Sequence, residues 1–522
     1  NIVERLLHKD PVTGEIKKTM DDIGFFSKQE LIALRNKGVI DPENIDHYIA
    51  RGGYKAIHKA LTEMTSAEVV QEVIDSGIRG RGGGGFPAGV KWQSAVKAVE
   101  KRGMAPYVVC NADEGDPGAF MDRSIVEADP HAVIEGMMIG ARAIGATEGY
   151  IYIRKEYPLA LVRLEKAIDQ ARENGLLGEK IFDTDFDFDI HVHRGAGAFV
   201  CGESSALMKS MAGQVGEPRA KYVRSVEYGF RDAPTVLNNV ETWANIPMIL
   251  RKGAQWFASS GSGDVTGNPW GGSSGTKVFS LVGDINNTGL VEVRMGVTLR
   301  EIVEEVGGGI PNNREFKAIQ TGGPSGGCLP TDKLDMPVDF DSLTAAGSMM
   351  GSGGMIVMDD KTCMVDVAKY FTEFLCNESC GKCTPCREGL PQLRDTLQRI
   401  CDGEGVQGDV EQLEELAEFI NSTSLCQLGG TAGNPVLSTI QYFRDEYNKH
   451  INDQECPAGH CQALIKYTII EDKCIGCTAC ARRCPVDAIT GDKKVAHVID
   501  TDKCIKCGIC DEVCPVDAVE VK

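Results

Sequence analysis

The feature that most constrains this chain is a repeat of cysteines near its C-terminal end. KCIGCTACARRCP and KCIKCGICDEVCP both read C-x2-C-x2-C-x3-C-P, and corresponding cysteines lie 30 residues apart. Thiolates at that spacing wrap cubane iron–sulfur clusters, and the last cysteine of each run ligates the other run's cluster. One [4Fe-4S] cluster is therefore expected on Cys474, Cys477, Cys480 and Cys514, and a second on Cys504, Cys507, Cys510 and Cys484. The paired Cys-Pro endings argue against a zinc knuckle. Crossed ligation ties both halves of 466–522 into one small unit.

A third set lies upstream. ESCGKCTPCREG places Cys380, Cys383 and Cys386 at C-x2-C-x2-C spacing, and Cys426 follows 40 residues after Cys386. Three close thiolates with one distant partner suit a cubane better than zinc, whose sites pair one C-x2-C with a second couple. Helical patterns over Met364 to Leu375, Leu390 to Ile400 and Val410 to Ile420 make 344–450 a helical cluster-binding domain. HINDQECPAGHC then gathers His450, Cys456, His460 and Cys461. Two readings stand for 450–465: a zinc hinge with Cys363 or the second histidine as fourth ligand, or plain buried cysteines. Cys110, Cys201, Cys328, Cys376 and Cys401 have no partners by spacing and read as core thiols.

The N-terminal half is glycine-rich in short bursts. In GIRGRGGGGFPAGVKW, Gly80, Gly82 and Gly85 satisfy G-x-G-x-x-G, but an amphipathic helix (Ser66 to Asp75) precedes them rather than a strand. A simple dinucleotide fold thus fails on context. Bare backbone at consecutive glycines, followed by a helix N-terminus, still favours an anionic or flat aromatic ligand over an empty flexible loop. The strand Tyr107 to Cys110 empties into NADEGDPGAF, where Asn111, Asp113, Glu114 and Asp116 crowd one loop. Ligands bind at such strand ends in open α/β sheets, although Asx-type turns would use the same residues. Asp185 to His193 alternates apolar and polar, so His191 and His193 read as a polar strand face rather than ligands. That strand runs into RGAGAFVCGESSALMKSMAG, a second strand–glycine loop–helix with Gly202, Glu203 and Ser204 at the helix start. PTVLNNVETW adds Asn238, Asn239 and Thr242, either as helix caps or as a hydrogen-bonding shell around a polar ring.

These segments outline an α/β protein: an N-terminal arm (1–65), a cofactor-binding α/β domain (66–260) and a small α+β module (276–343). A Gly/Ser-rich linker, Ser260 to Gly275, separates the last two. The net charge of -20 argues against nucleic acid as a ligand, since no basic excess exists to release counterions. No run of 18 apolar residues occurs, so no membrane span is expected. Twenty cysteines in a large chain without a signal peptide point to metal ligation and a cytoplasmic location rather than to disulfides. The chain opens at Asn1 and not at Met, and residues upstream of it are expected.

GRGGGGFPAGVKW, NADEGDPGAF, GAGAFVCGESSAL, PTVLNNVET and ESCGKCTPCREG together resemble the NADH-oxidising flavoprotein subunit of respiratory complex I, over roughly residues 40 to 450. The resemblance implies a Rossmann-like FMN- and NAD(H)-binding domain, a ubiquitin-like (SLBB-type) domain over 276–343 and a helical cluster bundle. It implies an FMN shell of Gly80, Gly82, Lys91, Asn111, Asp113, Gly202, Glu203, Asn238, Asn239 and Thr242, and NAD(P)(H) contacts at Phe86, Glu114 and Lys221. Lys91 would steady reduced flavin, and Glu203 would bring negative charge near the nicotinamide. Two departures matter. The ferredoxin-like tail is similar to that of soluble NAD(P)-linked hydrogenase subunits, electron-bifurcating ones included, and of related formate dehydrogenases. YVRSVEYGF also stands where the family has a proline-rich stretch, leaving NAD versus NADP open; Arg219 and Arg224 are candidates to meet a 2′-phosphate. Implied partners are a [2Fe-2S] thioredoxin-like subunit, a hydrogenase or formate dehydrogenase catalytic subunit and soluble ferredoxin. The rival reading is a non-catalytic electron-transfer scaffold.

Overall fold

A computed structural model describes residues 5, 7–9, 13–19, 22–220 and 222–521; Lys221 lies outside the described residues. The first domain is built on a four-stranded, wholly parallel sheet. Its strands are β1 (Tyr107–Ala112), β2 (Glu148–Arg154), β3 (Asp189–Gly195) and β4 (Thr235–Asn239), in the order β3-β2-β1-β4. Runs such as YVVC and IYI bury both faces, as parallel strands must. Val108, Cys110, Ile151 and Ile153 share a core with helices α1 (Ser66–Asp75), α2 (Ala88–Arg102), α3 (Met121–Ala128) and α4 (Pro130–Ile144). On the other face, Val109 and Tyr152 join a second core with Leu390, Leu413, Cys386 and Cys426. The sheet that holds the first set of loops is therefore covered directly by the helices that carry the cysteines.

Register places the loops together. Cys110 pairs with Asn238 and Asn111 with Asn239, so NADEG and NNVET emerge side by side at the C-terminal sheet edge. From there α5 (Pro158–Glu173), α6 (Ser204–Met211) and α7 (Val240–Lys252) return the chain. His191 tilts against Tyr150 and His193 stacks on Tyr152 at 5.3 Å, which fits a strand face and not a ligand role.

Two expectations change. Much of the N-terminal arm is core: Ile32, Leu34, Tyr48 and Ile57 are buried in the first domain. The buried Glu292 carboxylate holds that segment by accepting the backbone N–H groups of Ile32, Ala33 and Leu34 at 2.8–2.9 Å. The Gly/Ser stretch is not a free linker either. Ser262–Gly263 and Gly272–Ser273 pair as a short hairpin, and buried Arg81 donates to the Ser274 carbonyl at 2.6 Å.

The next module is a five-stranded mixed sheet of β5 (Thr276–Gly283), β6 (Gly289–Arg294), β7 (Phe316–Thr321), β8 (Gly327–Pro330) and β9 (Gly354–Asp359), ordered β6-β5-β9-β7-β8. Glu301–Val306, after the second strand, forms a wide π-turn rather than a regular α-helix. Four long helices follow, α8 (Met364–Glu378), α9 (Thr384–Cys401), α10 (Asp409–Thr423) and α11 (Asn434–Asn448), with a single turn, Gln427–Gly430, between the last two. α9 begins earlier than its hydrophobic pattern suggests, with Pro385 in its first turn, so Cys386 is itself helical. In the tail Tyr467–Ile469 pairs antiparallel with Val519–Val521, closing the repeat on itself. Among the described residues no helix is long and apolar enough to cross a membrane.

Candidate functional site

The first glycine loop folds back beneath its own helix: the Gly80 N–H donates to the Phe86 carbonyl at 2.9 Å. A Cβ on Gly82 would stand 2.9 Å from the Asn239 Cβ, whereas one on Gly84 would meet nothing within 4 Å. The loop is thus pinned at one side and open at the other. The Arg81 N–H donates to the Thr242 hydroxyl at 2.9 Å, fastening the loop to α7. One turn into α2, Lys91 Nζ donates to the Leu237 carbonyl (2.9 Å) and to Asn238 Oδ1 (3.2 Å). Burial pulls this ammonium down to about 8.

Acidic and amide groups face the same edge. Asn111 Nδ2 donates to the Gly202 carbonyl at 2.9 Å, joining the NADEG loop to the second glycine loop. Asp113 is buried, both its carboxylate oxygens lack a hydrogen-bond donor, and burial pushes it up to about 7. Asn238 Nδ2 is likewise buried and unpaired. Asn239 caps α7 through Oδ1 and donates through Nδ2 to Asp122. Glu114 accepts the N–H groups of Asp122 and Arg123, both at 3.1 Å, at the start of α3, and burial raises it to about 7. Glu203 caps α6, accepting from the N–H groups of Ser205 and Ala206 at 3.0 and 2.8 Å. Ser204 is the first residue of that helix. Phe86 sits at the exposed rim with Trp270 edge-on at 5.0 Å. Sequence reasoning missed Trp270, hidden in a stretch read as linker, and Arg154, 3.9 Å from Asp113. Arg219 is ion-paired with Asp232 at 3.0 Å.

Unpaired acceptors on Asp113, an unpaired donor on Asn238, bare backbone at Gly84 and the N-terminal turn of α6 are what a polyhydroxyl chain, a ring edge and a phosphate need. The residues present fit FMN.

Cys380, Cys383, Cys386 and Cys426 adjoin this pocket. Cys386 and Cys426 are buried, Cys383 is half-buried and Cys380 exposed. A Cβ on Gly429 would lie 3.3 Å from the Cys386 Cβ, so the Cys426 turn closes on the cysteine motif. Two links run to the flavin side. Glu378 accepts the Phe199 N–H at 2.9 Å, and Glu217 pairs with both Lys382 (2.9 Å) and Lys209 (2.8 Å). The Glu203 charge also helps raise the Cys426 thiol, after burial as the main cause.

In the tail, Cys474, Cys477, Cys480 and Cys514 line one cavity, and Cys484, Cys504, Cys507 and Cys510 line another. Four soft ligands around a small apolar void are a donor set suited to a cubane. A further group joins α8 to the turn after α11. The ligand atoms of Cys363, His450, Cys456 and Cys461 all lie within 4.8 Å of one another, and all four residues are buried. His450 Nδ1 bonds the Glu446 carbonyl at 2.7 Å, leaving Nε2 3.3 Å from Cys363 Sγ and 3.4 Å from Cys461 Sγ. The N–H groups of His460 and Cys461 donate to Cys456 Sγ at 3.4 Å. His460 is no part of the group; its ring pairs with Asp366 at 3.1 Å.

Comparison with known proteins agrees with this layout. Residues 73–248 match the Nuo51 FMN-binding domain, 278–329 the SLBB domain, 366–450 the NADH-ubiquinone oxidoreductase-F iron-sulfur binding region and 467–521 a 4Fe-4S dicluster domain. The chain is 55% identical over 472 residues to the NADP-reducing hydrogenase subunit HndC of Solidesulfovibrio fructosivorans, covering 90% of this chain and 93% of that one. It is 47% identical over 428 residues to the second F-type subunit of the NADH-quinone oxidoreductase of Rhizobium meliloti, covering 82% and 99%. A crystal structure of an NAD+-reducing [NiFe]-hydrogenase in the H2-reduced state superimposes with a TM-score of 0.69 at 31% identity, covering 86% of this chain and 70% of that one. The chain belongs to the family of FMN- and [4Fe-4S]-binding proteins typified by the F-type subunit of NADH-quinone oxidoreductase, and it is an NAD(P)H-linked oxidoreductase component.

Proposed function

We propose that this chain is the diaphorase subunit of a multi-subunit, cytoplasmic NAD(P)-linked hydrogenase, passing electrons between a nicotinamide and three [4Fe-4S] clusters. FMN, when bound, supplies the exchange between hydride and single electrons. The observation that carries the reading is the shared bonding of flavin pocket and cluster motif, in which Glu378 of ESCGKC accepts from Phe199 of GAGAFVCGE. Gly84 admits a flat ring against bare backbone, and Gly82 packs against Asn239 to hold the loop in place. Lys91 presents positive charge to that ring, and Asp113 and Asn238 orient the chain attached to it. Phe86 and Glu114, with Lys221, hold the nicotinamide nucleotide, and Glu203 brings negative charge near the nicotinamide. Buried Cys426 and Cys386 keep water from the first one-electron station.

The tail repeat and the extended likeness to HndC favour a hydrogenase over a complex I assembly. The partners are then a hydrogen-activating catalytic subunit and a [2Fe-2S] thioredoxin-like subunit, with soluble ferredoxin as a second acceptor. Cys363, His450, Cys456 and Cys461 hold zinc at the base of the tail. One flavin serving NAD(P)+ and ferredoxin together is electron bifurcation. The test is hydrogen oxidation by the purified complex with NAD+ or NADP+, with and without ferredoxin. Turnover that requires both acceptors supports bifurcation, and full turnover with either alone removes it. A complex without flavin absorbance or NAD(P)H–viologen activity refutes the diaphorase reading itself.

A further inference from the structure

The two cavities of the tail face different surroundings. The one lined by Cys484, Cys504, Cys507 and Cys510 turns toward the body of the protein. Lys506, between two of its cysteines, donates to the Ala463 carbonyl, and Ile505 lines one recess with Asp366, Lys369, Cys401 and Cys461. The other cavity, of Cys474, Cys477, Cys480 and Cys514, has Ile475 as part of its wall. Ile475 is 56% exposed, much like Ile505 at 54%, and what separates the two cavities is the Lys506 bond and the recess on the body side. The loop after Gly491 is fastened beside it: the Lys494 N–H donates to the Gly476 carbonyl at 3.0 Å, leaving Val495 56% exposed.

Charge follows the same division. Residues 471–497 carry five Lys/Arg against four Asp/Glu, and residues 498–521 carry two against six, in a chain of net charge -20. Arg482 and Arg483, on the helix that bears Cys480, and Lys493 and Lys494, on the fastened loop, are all exposed. None of the four has an ion-pair partner among the described residues, whereas Lys503 of the body-facing half pairs with Asp500 at 3.4 Å. Two exposed apolar side chains beside a cluster site, framed by unpaired cations, suit a small docking surface for a partner of opposite charge. Ile475 stands between the outer cluster site and solvent, so a partner seated there would lie within short electron-transfer reach.

We propose that Ile475 and Val495, framed by Arg482, Arg483, Lys493 and Lys494, dock an acidic one-electron iron–sulfur carrier protein over the outer cluster. This rests on the diaphorase reading above and specifies where its one-electron partner binds. The step is the transfer of one electron between the carrier's cluster and the cluster of Cys474, Cys477, Cys480 and Cys514. One is oxidised and the other reduced, with no bond or proton exchanged. Charged rims of this kind act mainly on encounter rate, and their effect is screened by salt.

The test uses the purified holo-complex, its iron content verified, and a two-cluster ferredoxin of net negative charge. In stopped-flow mixing at low ionic strength, the double variant R482E/K494E is expected to lose on the order of tenfold in second-order rate, and R482Q/K494Q less. Wild-type rates should fall steeply with salt, and those of the variants should not. NAD(P)H–viologen turnover should be unchanged in both variants; a wild-type complex without that turnover fails the diaphorase reading instead. Hydroxyl-radical footprinting should label Ile475 and Val495 in the complex alone and show protection when ferredoxin is added. Unchanged rate and salt slope in R482E/K494E overturn the proposal. So does a footprint in which another chain of the complex already covers both residues.

Discussion

Asp113 is buried beneath the second glycine loop with neither carboxylate oxygen hydrogen-bonded, and its nearest cation, Arg154, is 3.9 Å away. Burial pushes it up to about 7, against an ordinary value of 3.8, and Glu156 and Glu378 add to the rise. Because the folded value is raised, the protonated carboxyl favours the ligand-free fold in acid, and that contribution is lost as pH climbs from about 4 through 7. Hydroxyl donors from a flavin side chain would reverse this by stabilising the charged form, so binding should expel a proton below pH 7. FMN affinity is therefore expected to rise between pH 5.5 and 7.5, by up to about tenfold per pH unit. Asp113→Asn should flatten the dependence, and calorimetric titration in buffers of different ionisation enthalpy reads the proton directly. A wild-type affinity independent of pH would remove Asp113 from the pocket. Residues of this kind were legible in sequence because amides and acids cluster at the end of an apolar strand. Arg154 was not, since an arginine closing GYIYIR looks like any surface cation until the strand order is known.

Among the strands and helices, local patterns predicted the elements well and their neighbours poorly. The alternation of Asp185 to His193 led to a strand that begins only at Asp189 and runs to Gly195, but the Gly/Ser stretch became a hairpin, with Ser274 receiving a buried guanidinium. The turn after α11 shows the same limit. HINDQECPAGHC announced soft ligands, yet whether Cys363 or His460 completes the set depends on how α8 packs, and packing puts Cys363 inside and His460 against Asp366. Three thiols and an imidazole with its other nitrogen bonded to a carbonyl are the donor types that a closed zinc site takes. Purified protein is expected to hold about one zinc per chain besides its iron. Cys456→Ser should lose that zinc, keep its iron and become open to limited proteolysis between residues 450 and 466. Elemental analysis finding iron without zinc in the wild type would leave four buried thiol and imidazole groups as ordinary packing.

The flavin pocket and the first cluster site form one body, while the tail is attached at its edge. Val109 and Tyr152 of the parallel sheet share a core with Leu390, Cys386 and Cys426, and Phe199 meets Phe374 edge-on at 5.2 Å. The tail has its own small core of Ile489, Ile499 and Cys510, and it meets the body through Lys506, Ile505 and the recess beside Cys461. This division was visible in sequence as a repeat separate from the long family motifs. That one core joins sheet and cluster helices was not, because Val109 and Leu390 are 281 positions apart and nothing local couples them. A chain ended at Ile465 should then keep flavin and NAD(P)H–viologen turnover to within about twofold, since nothing in that path is removed. Its iron should fall from about twelve atoms to about four, the complement of one cubane out of three. Electron delivery to ferredoxin should disappear with the eight cysteines. If dye turnover collapses with the tail while flavin stays bound, electrons leave the flavin by way of the tail. The site of Cys380, Cys383, Cys386 and Cys426 would then be a branch and not the first one-electron station.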